Sequence, residues 1–230
     1  MGEETQLFLL HFAGGNRYSF QFLKSFVPNG FSFCPIELPG RGKRMSETLL
    51  LSESAATEDL VDQIIAHRNT KPYVLFGHSM GASLAIRVAK KMESINDAPT
   101  RLVVAGNSGP GTSDGKKRST MTDPELKEEL LTLGGVEDEV IMNDELFNFF
   151  SPILRADFGL LENARTLEDD FKVAVPIRAV MGTKEEKADK IENWKRFTSK
   201  DFNYQLLEGN HFFIHDHPAE LIKIITDNDG

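Results

Sequence analysis

A single cysteine, Cys34, stands in a chain of 230 residues, so no internal disulfide is available. It lies in an apolar stretch, where a buried, reduced thiol is the expected state. Long hydrophobic runs are also missing. None approaches the roughly 20 residues a membrane span needs, and no membrane partner is expected. The acidic start, Met1 to Gln6, lacks the cationic and apolar regions of a secretion signal and passes straight into a strand-like run. A cytoplasmic location is the expectation. Basic residues are in the minority, 26 Lys and Arg against 35 Asp and Glu, and the net charge of −9 argues against nucleic acid as a partner. Internal repeats and low-complexity tracts are absent. What is present is the composition of an ordinary globule, 40% hydrophobic and 27% charged. At this length it fits one large α/β domain, or one domain with an insertion.

The most informative stretch is Gly77-His78-Ser79-Met80-Gly81, a G-x-S-x-G sequence. The apolar run Tyr73 to Phe76 precedes it and a helix-patterned segment follows. A serine nucleophile needs its hydroxyl held out at a sharp strand-to-helix turn, and glycines on either side let the backbones crowd there. The Met80 N–H, at the helix start, is then placed to donate to an oxyanion.

Around this turn the chain alternates strand and helix. Strands are expected at Gln6–His11, Phe31–Ile36, Pro72–Phe76, Leu102–Ala105, Val175–Met181 and Phe202–Leu207. Helices are expected at about Tyr18–Phe26, Ser54–His67, Met80–Met92, Lys187–Phe197 and Pro218–Ile225. This order implies an α/β fold with a mostly parallel central sheet. The rhythm breaks after the fourth strand. Ser108–Lys117 is polar and glycine-rich, and Thr122 to about Asp170 carries helix patterns only. Asp123-Pro124 opens one helix, Asn143 or Asp144 caps a second, and a third holds Ile153, Leu154, Phe158, Leu160 and Leu161. Residues 110–172 therefore read as a helical lid inserted into a core formed by 1–109 and 173–230. Its phenylalanines Phe147, Phe149, Phe150 and Phe158 either form the lid's own core or line a channel for an acyl chain.

A serine hydroxyl needs a general base, and a histidine base needs a carboxylate behind it. After a G-x-S-x-G turn the chain order is serine, acid, histidine. His211 lies in a glycine-flanked loop directly after the last strand and is the expected base. His78 sits beside Ser79 and is expected to point elsewhere, and His11 is expected to be structural. His215, Asp216 and His217 follow His211, but no second cluster completes a metal site, and none is expected. The acid belongs after the fifth strand, where the loop reads Gly182-Thr183-Lys184-Glu185-Glu186. Glu185 is the first choice, Glu186 the alternative and Asp189 the third. The other usual place, after the fourth strand, offers only Asn107. The second oxyanion donor is expected from Phe12-Ala13-Gly14, at the Ala13 N–H.

His11-Phe12-Ala13-Gly14-Gly15, Leu38-Pro39-Gly40-Arg41-Gly42, Phe76 to Gly81 and Gly209-Asn210-His211-Phe212-Phe213 resemble the successive motifs of type II thioesterases. These are the stand-alone editing enzymes of non-ribosomal peptide and polyketide synthesis, of the α/β-hydrolase fold. Leu131 to Gly135 and Leu154-Arg155-Ala156-Asp157-Phe158 are similar to that family's lid. The animal medium-chain fatty-acid thioesterases share these motifs. The resemblance spans essentially the whole chain. It implies hydrolysis of acyl or aminoacyl groups from the 4′-phosphopantetheine arm of an acyl or peptidyl carrier protein, without a cofactor of the enzyme's own. It assigns Ser79 as nucleophile, His211 as base, and Met80 and Ala13 as oxyanion donors. Two positions depart from the family pattern: glutamates stand where its acid is Asp, and Asn210 replaces the glycine usual before the histidine. Lys43/Arg44 and Lys116/Lys117/Arg118 are candidates for docking an acidic carrier. We expect a monomer. Two other functions fit the same residues: a general carboxylesterase or lipase acting on small esters, and a non-catalytic binding protein on a hydrolase scaffold.

Overall fold

The computed structural model of the chain describes residues 4–164, 166–168 and 170–227. Residues 1–3 and 228–230 of the expected core, and Arg165 and Asp169 of the expected lid, lie outside that set. The described residues form a 6-stranded sheet in the order β2-β1-β3-β4-β5-β6, parallel throughout. The strands are β1 Thr5–Leu10, β2 Phe31–Ile36, β3 Tyr73–His78, β4 Arg101–Ala105, β5 Ile177–Gly182 and β6 Phe202–Leu207. The helices are α1 Glu53–His67, α2 Met80–Ser94, α3 Asp123–Leu133, α4 Asp138–Met142, α5 Asp144–Glu162 and α6 Pro218–Thr226. The parallel order follows from sequence: short apolar strands alternate with amphipathic helices that must cover both faces.

Side-chain alternation shows which face each residue feeds. Phe8 and Leu10 of β1 pack with α1 and α2 residues such as Leu60, Ile64, Leu84 and Val88. Leu7 and Leu9 pack on the opposite face with Phe20, Leu23 and the α6 residues Leu221, Ile222 and Ile225. The register pairs Leu10 with Gly77, His78 with Ala105, and Gly182 with Leu207. All the carboxyl ends that carry candidate residues therefore reach one edge of the sheet.

Two expected helices are instead 3₁₀ segments, Gln21–Phe26 and Ala188–Phe197. In the second, the buried residues are Ala188, Ile191, Trp194 and Phe197, every third position. That is the period of a 3₁₀ turn, and it buries one narrow ridge where a 3.6-residue period would rotate it away.

Between β4 and β5 lie α3, α4 and α5. Thr122 and Glu125 close a capping box on α3, and the Asn143 side chain caps α5 by accepting from the N–H groups of Glu145 and Leu146. The third expected helix is the second half of α5, which runs unbroken through Pro152. These helices hold their own apolar cluster of Leu126, Leu130, Ile141, Phe147 and Leu154, with Phe158 packed against it. Phe147 and Phe158 thus fill the segment's own core. Phe149 is 54% exposed and packs edge-on against Phe150.

Candidate active site

Ser79 sits between β3 and α2 with φ 55° and ψ −112°. A non-glycine residue in that region is strained, and the strain is held by packing on both sides. A Cβ on Gly77 would overlap the Gly81 carbonyl, and one on Gly81 would overlap the Leu10 carbonyl. The turn is thus possible only with glycine at both places, and it presses the start of α2 onto the end of β1. Asn107 braces it from the β4 side. Its amide donates to Ser79 O at 3.1 Å and to Ser83 Oγ at 3.0 Å. The place where a triad acid sometimes stands is therefore occupied by a residue that fixes the turn, a role spacing did not disclose.

His211 follows β6 and bridges the serine and a carboxylate. Its Nε2 lies 2.9 Å from Ser79 Oγ and its Nδ1 lies 2.7 Å from Glu185 Oε2. A carboxylate only accepts, so the proton is on Nδ1 and Nε2 is the acceptor facing the hydroxyl. Glu185 reaches because its loop folds back on itself. The Glu185 N–H donates to Gly182 O at 3.1 Å, and the Gly182 N–H donates to Oε1 at 2.8 Å. One oxygen is thereby fixed to the backbone while the other meets the histidine. The Glu185 side chain is 8% exposed. Glu186 and Asp189 are exposed, and neither is brought to His211. The loops of the two partners interlock: Lys184 N–H donates to Gly209 O at 2.9 Å. Asn210 stands without strain, since Gly209 carries the positive φ of 133° and Asn210 does not. Its side chain accepts from the Phe212 N–H at 2.9 Å.

Among the described residues neither ring nitrogen of His78 has a hydrogen-bond partner, so it makes no bond to the serine. Its ring is fully buried, 5.0 Å from that of His211 and enclosed by Phe12, Phe212 and Phe213. Burial, with the neighbouring His211 and His215, holds its pKa well below the usual histidine range, so it packs as a neutral ring. A Cβ on Gly106 would overlap it.

Met80 opens α2, and Ala13 packs against the cluster that contains Met80. Among the described residues neither N–H is taken by a protein acceptor. His11 is buried beneath this loop. Leu38 N–H donates to its Nε2 at 3.4 Å, which leaves Nδ1 protonated and donating to Phe12 O at 2.8 Å. Burial and the nearby Arg41 lower its pKa to about 4. His215 and His217 face elsewhere, against Phe22 and Glu208 O respectively. Among the described residues no group of three His, Cys, Asp or Glu is arranged to hold a metal.

The cationic clusters are largely neutralised within the chain. Arg44 pairs with Glu47 and Asp59, Arg118 with Asp114 and Glu129, and Lys116 with Glu129.

A strained serine, an imidazole held in one tautomer and backbone N–H groups free to donate are what acyl transfer to a hydroxyl requires. Known proteins point the same way. The chain is 29% identical over 229 residues to Linear gramicidin dehydrogenase LgrE of Brevibacillus parabrevis, covering 96% of this chain and 86% of that protein. That name describes a dehydrogenase, but this chain has no G-x-G-x-x-G dinucleotide loop. Among solved structures, ClbQ from the colibactin NRPS/PKS pathway superposes with a TM-score of 0.88 at 26% identity, covering 95% of this chain and 94% of ClbQ. The type II thioesterase BorB from the borrelidin biosynthetic cluster superposes with a TM-score of 0.87 at 27% identity, covering 98% of this chain and 92% of BorB. The thioesterase domain model matches residues 5–228, and the chain belongs to that family, with the α/β-hydrolase fold.

Proposed function

We propose that Ser79, His211 and Glu185 form a catalytic triad that hydrolyses acyl or aminoacyl thioesters from the phosphopantetheine arm of carrier proteins. The observation that carries the reading is His211 bridging Ser79 Oγ at 2.9 Å and Glu185 Oε2 at 2.7 Å. Ser79 Oγ attacks the thioester carbonyl while His211 Nε2 takes its proton. The tetrahedral oxyanion is met by the N–H groups of Met80 and Ala13. Collapse breaks the C–S bond, and the pantetheine thiolate leaves with the proton from His211. Water then attacks the acyl-Ser79 ester, with His211 as base again, and releases the acid. Glu185 accepts from the His211 Nδ1–H and holds the imidazolium. The enzyme needs no cofactor of its own, because the pantetheine arrives on the partner.

Residues 110–172 serve as the lid. Likeness to BorB and ClbQ, whose names place them in a type II thioesterase class and an NRPS/PKS pathway, supports a role in clearing stalled or misprimed carriers. We assign a monomer acting in the cytoplasm. Among the described residues no helix is long and apolar enough to cross a membrane. Self-pairing of Arg44, Lys116 and Arg118 lowers the case for docking through those clusters. The test is hydrolysis of acyl-loaded carrier protein against a simple oxygen ester of the same acyl group. A strong preference for the carrier is expected, and a strong preference for the ester refutes the assignment.

A further inference from the structure

Two stretches of the chain that have no part in the triad meet in a buried ion pair. Asp157 of α5 is 0% exposed and Arg41 is 3% exposed. Arg41 grips the carboxylate with two hydrogen bonds, Nη1 to Oδ2 at 2.6 Å and Nη2 to Oδ1 at 2.8 Å. Arg41 also donates to Pro39 O and Gly15 O, both at 3.3 Å. The third donor to Asp157 is a backbone group, the Gly14 N–H, at 2.8 Å from Oδ2.

That third bond bears on the oxyanion donor. A peptide unit is rigid and planar, so fixing one of its polar atoms sets the direction of the other. The Ala13 N–H shares a plane with the Phe12 carbonyl, which accepts from His11 Nδ1 at 2.8 Å and from Gly15 N at 2.9 Å. The next plane, Ala13–Gly14, is held by Asp157 through the Gly14 N–H. Ala13 thus hangs between two clamped planes, one of them clamped from α5. A buried ion pair adds little stability over an apolar pair of similar volume. An apolar pair, however, supplies no acceptor for Gly14.

We propose that Asp157, held by Arg41, is a positioning residue for the Ala13 oxyanion donor, so that the helical segment completes the site only while α5 is docked. This rests on the assignment of Ser79 as nucleophile and Ala13 as donor. An α5 that lifts takes Asp157 with it and frees the Ala13–Gly14 plane. Turnover then depends on docking of α5, whereas binding of the acyl-pantetheine ground state does not.

The experiment compares wild type, Asp157→Asn and the double variant Arg41→Met/Asp157→Leu. Each is assayed for kcat and KM on acyl-loaded carrier. Each is also titrated with two acyl-pantetheine analogues: a trifluoromethyl ketone, to which Ser79 adds to form a hemiketal oxyanion, and a thioether, which forms none. The double variant is expected to lose kcat and ketone affinity by about 10- to 100-fold, below the loss for removing a donor outright. KM and thioether affinity stay within about twofold. Asp157→Asn keeps an oxygen for Gly14 and recovers most of the lost kcat. A double variant with wild-type kcat overturns the proposal, as does an equal loss of affinity for both analogues. Where the double variant does not fold, Asp157→Glu decides by the same readouts: it keeps the charge pair and shifts the carboxylate by one methylene. Ser79→Ala separates the two levels. If it turns over carrier normally, the triad assignment fails. If it is inactive while the double variant keeps wild-type kcat, only the positioning role fails.

Discussion

Glu185 meets His211 Nδ1 with one carboxylate oxygen while the other accepts from the Gly182 N–H. The carboxylate is thereby aimed before any substrate arrives. Glu185→Ala is expected to lower kcat about a thousandfold, through loss of the imidazole's tautomer and of its charge partner. Glu186→Ala, at an exposed position, is expected to change kcat less than threefold. Steady-state kinetics on an acyl thioester check both, and equal effects contradict the geometry. That His211 would meet Ser79 was readable from local sequence because a strained turn and a glycine-flanked loop leave clear marks. The carboxylate that meets His211 was readable only as a set on one loop. Which of them meets His211 depends on a four-residue turn closing between Glu185 N and Gly182 O, and spacing alone does not encode that closure. The bracing by Asn107 was hidden for a similar reason, since its partners Ser79 and Ser83 lie across a strand crossover.

At the scale of elements, the tightest joint is β1 against the start of α2. Gly81→Ala would put a methyl into the Leu10 carbonyl, a backbone group with nowhere to move. We expect a loss of about 3 kcal/mol in urea unfolding, the upper end for overpacking, together with reduced kcat. A variant of wild-type stability would mean that the Leu10 carbonyl can give way. The alternation of strands and helices was legible because each element's apolar period matches its geometry. The 3₁₀ character of Ala188–Phe197 was not, because positions three apart also fall on one face of an α-helix. The helical segment showed its existence but not its interior: the same phenylalanines suit a core or a channel, and only packing against Leu126, Leu130 and Ile141 assigns Phe147 to the core. Arg41 and Asp157 stand 116 residues apart, and nothing local announces that they pair.

For the whole molecule, buried neutral histidines couple the fold to pH. His11 titrates near 6.5 when unfolded and at about 4 when folded, because burial and Arg41 oppose its charge. Its folded pKa is depressed, so between about 4 and 6.5 the unfolded chain binds the extra proton. Its contribution is present above pH 6.5 and is lost as pH falls toward 4, on the order of 3 kcal/mol in all. His78 acts in the same direction. Urea midpoints should therefore fall between pH 7 and pH 4.5, and His11→Gln should flatten that slope whatever it does to stability at pH 7. An unchanged slope would mean His11 is not held neutral.

Unloading of a carrier-bound thioester by the proposed nucleophile Ser79 is measured by intact-protein mass spectrometry of a carrier loaded with an acyl-phosphopantetheine, incubated with wild type or Ser79→Ala. Wild type is expected to remove the acyl mass and leave holo-carrier, while Ser79→Ala leaves the loaded carrier intact. Unloading by Ser79→Ala at the wild-type rate would contradict the assignment of Ser79 as nucleophile.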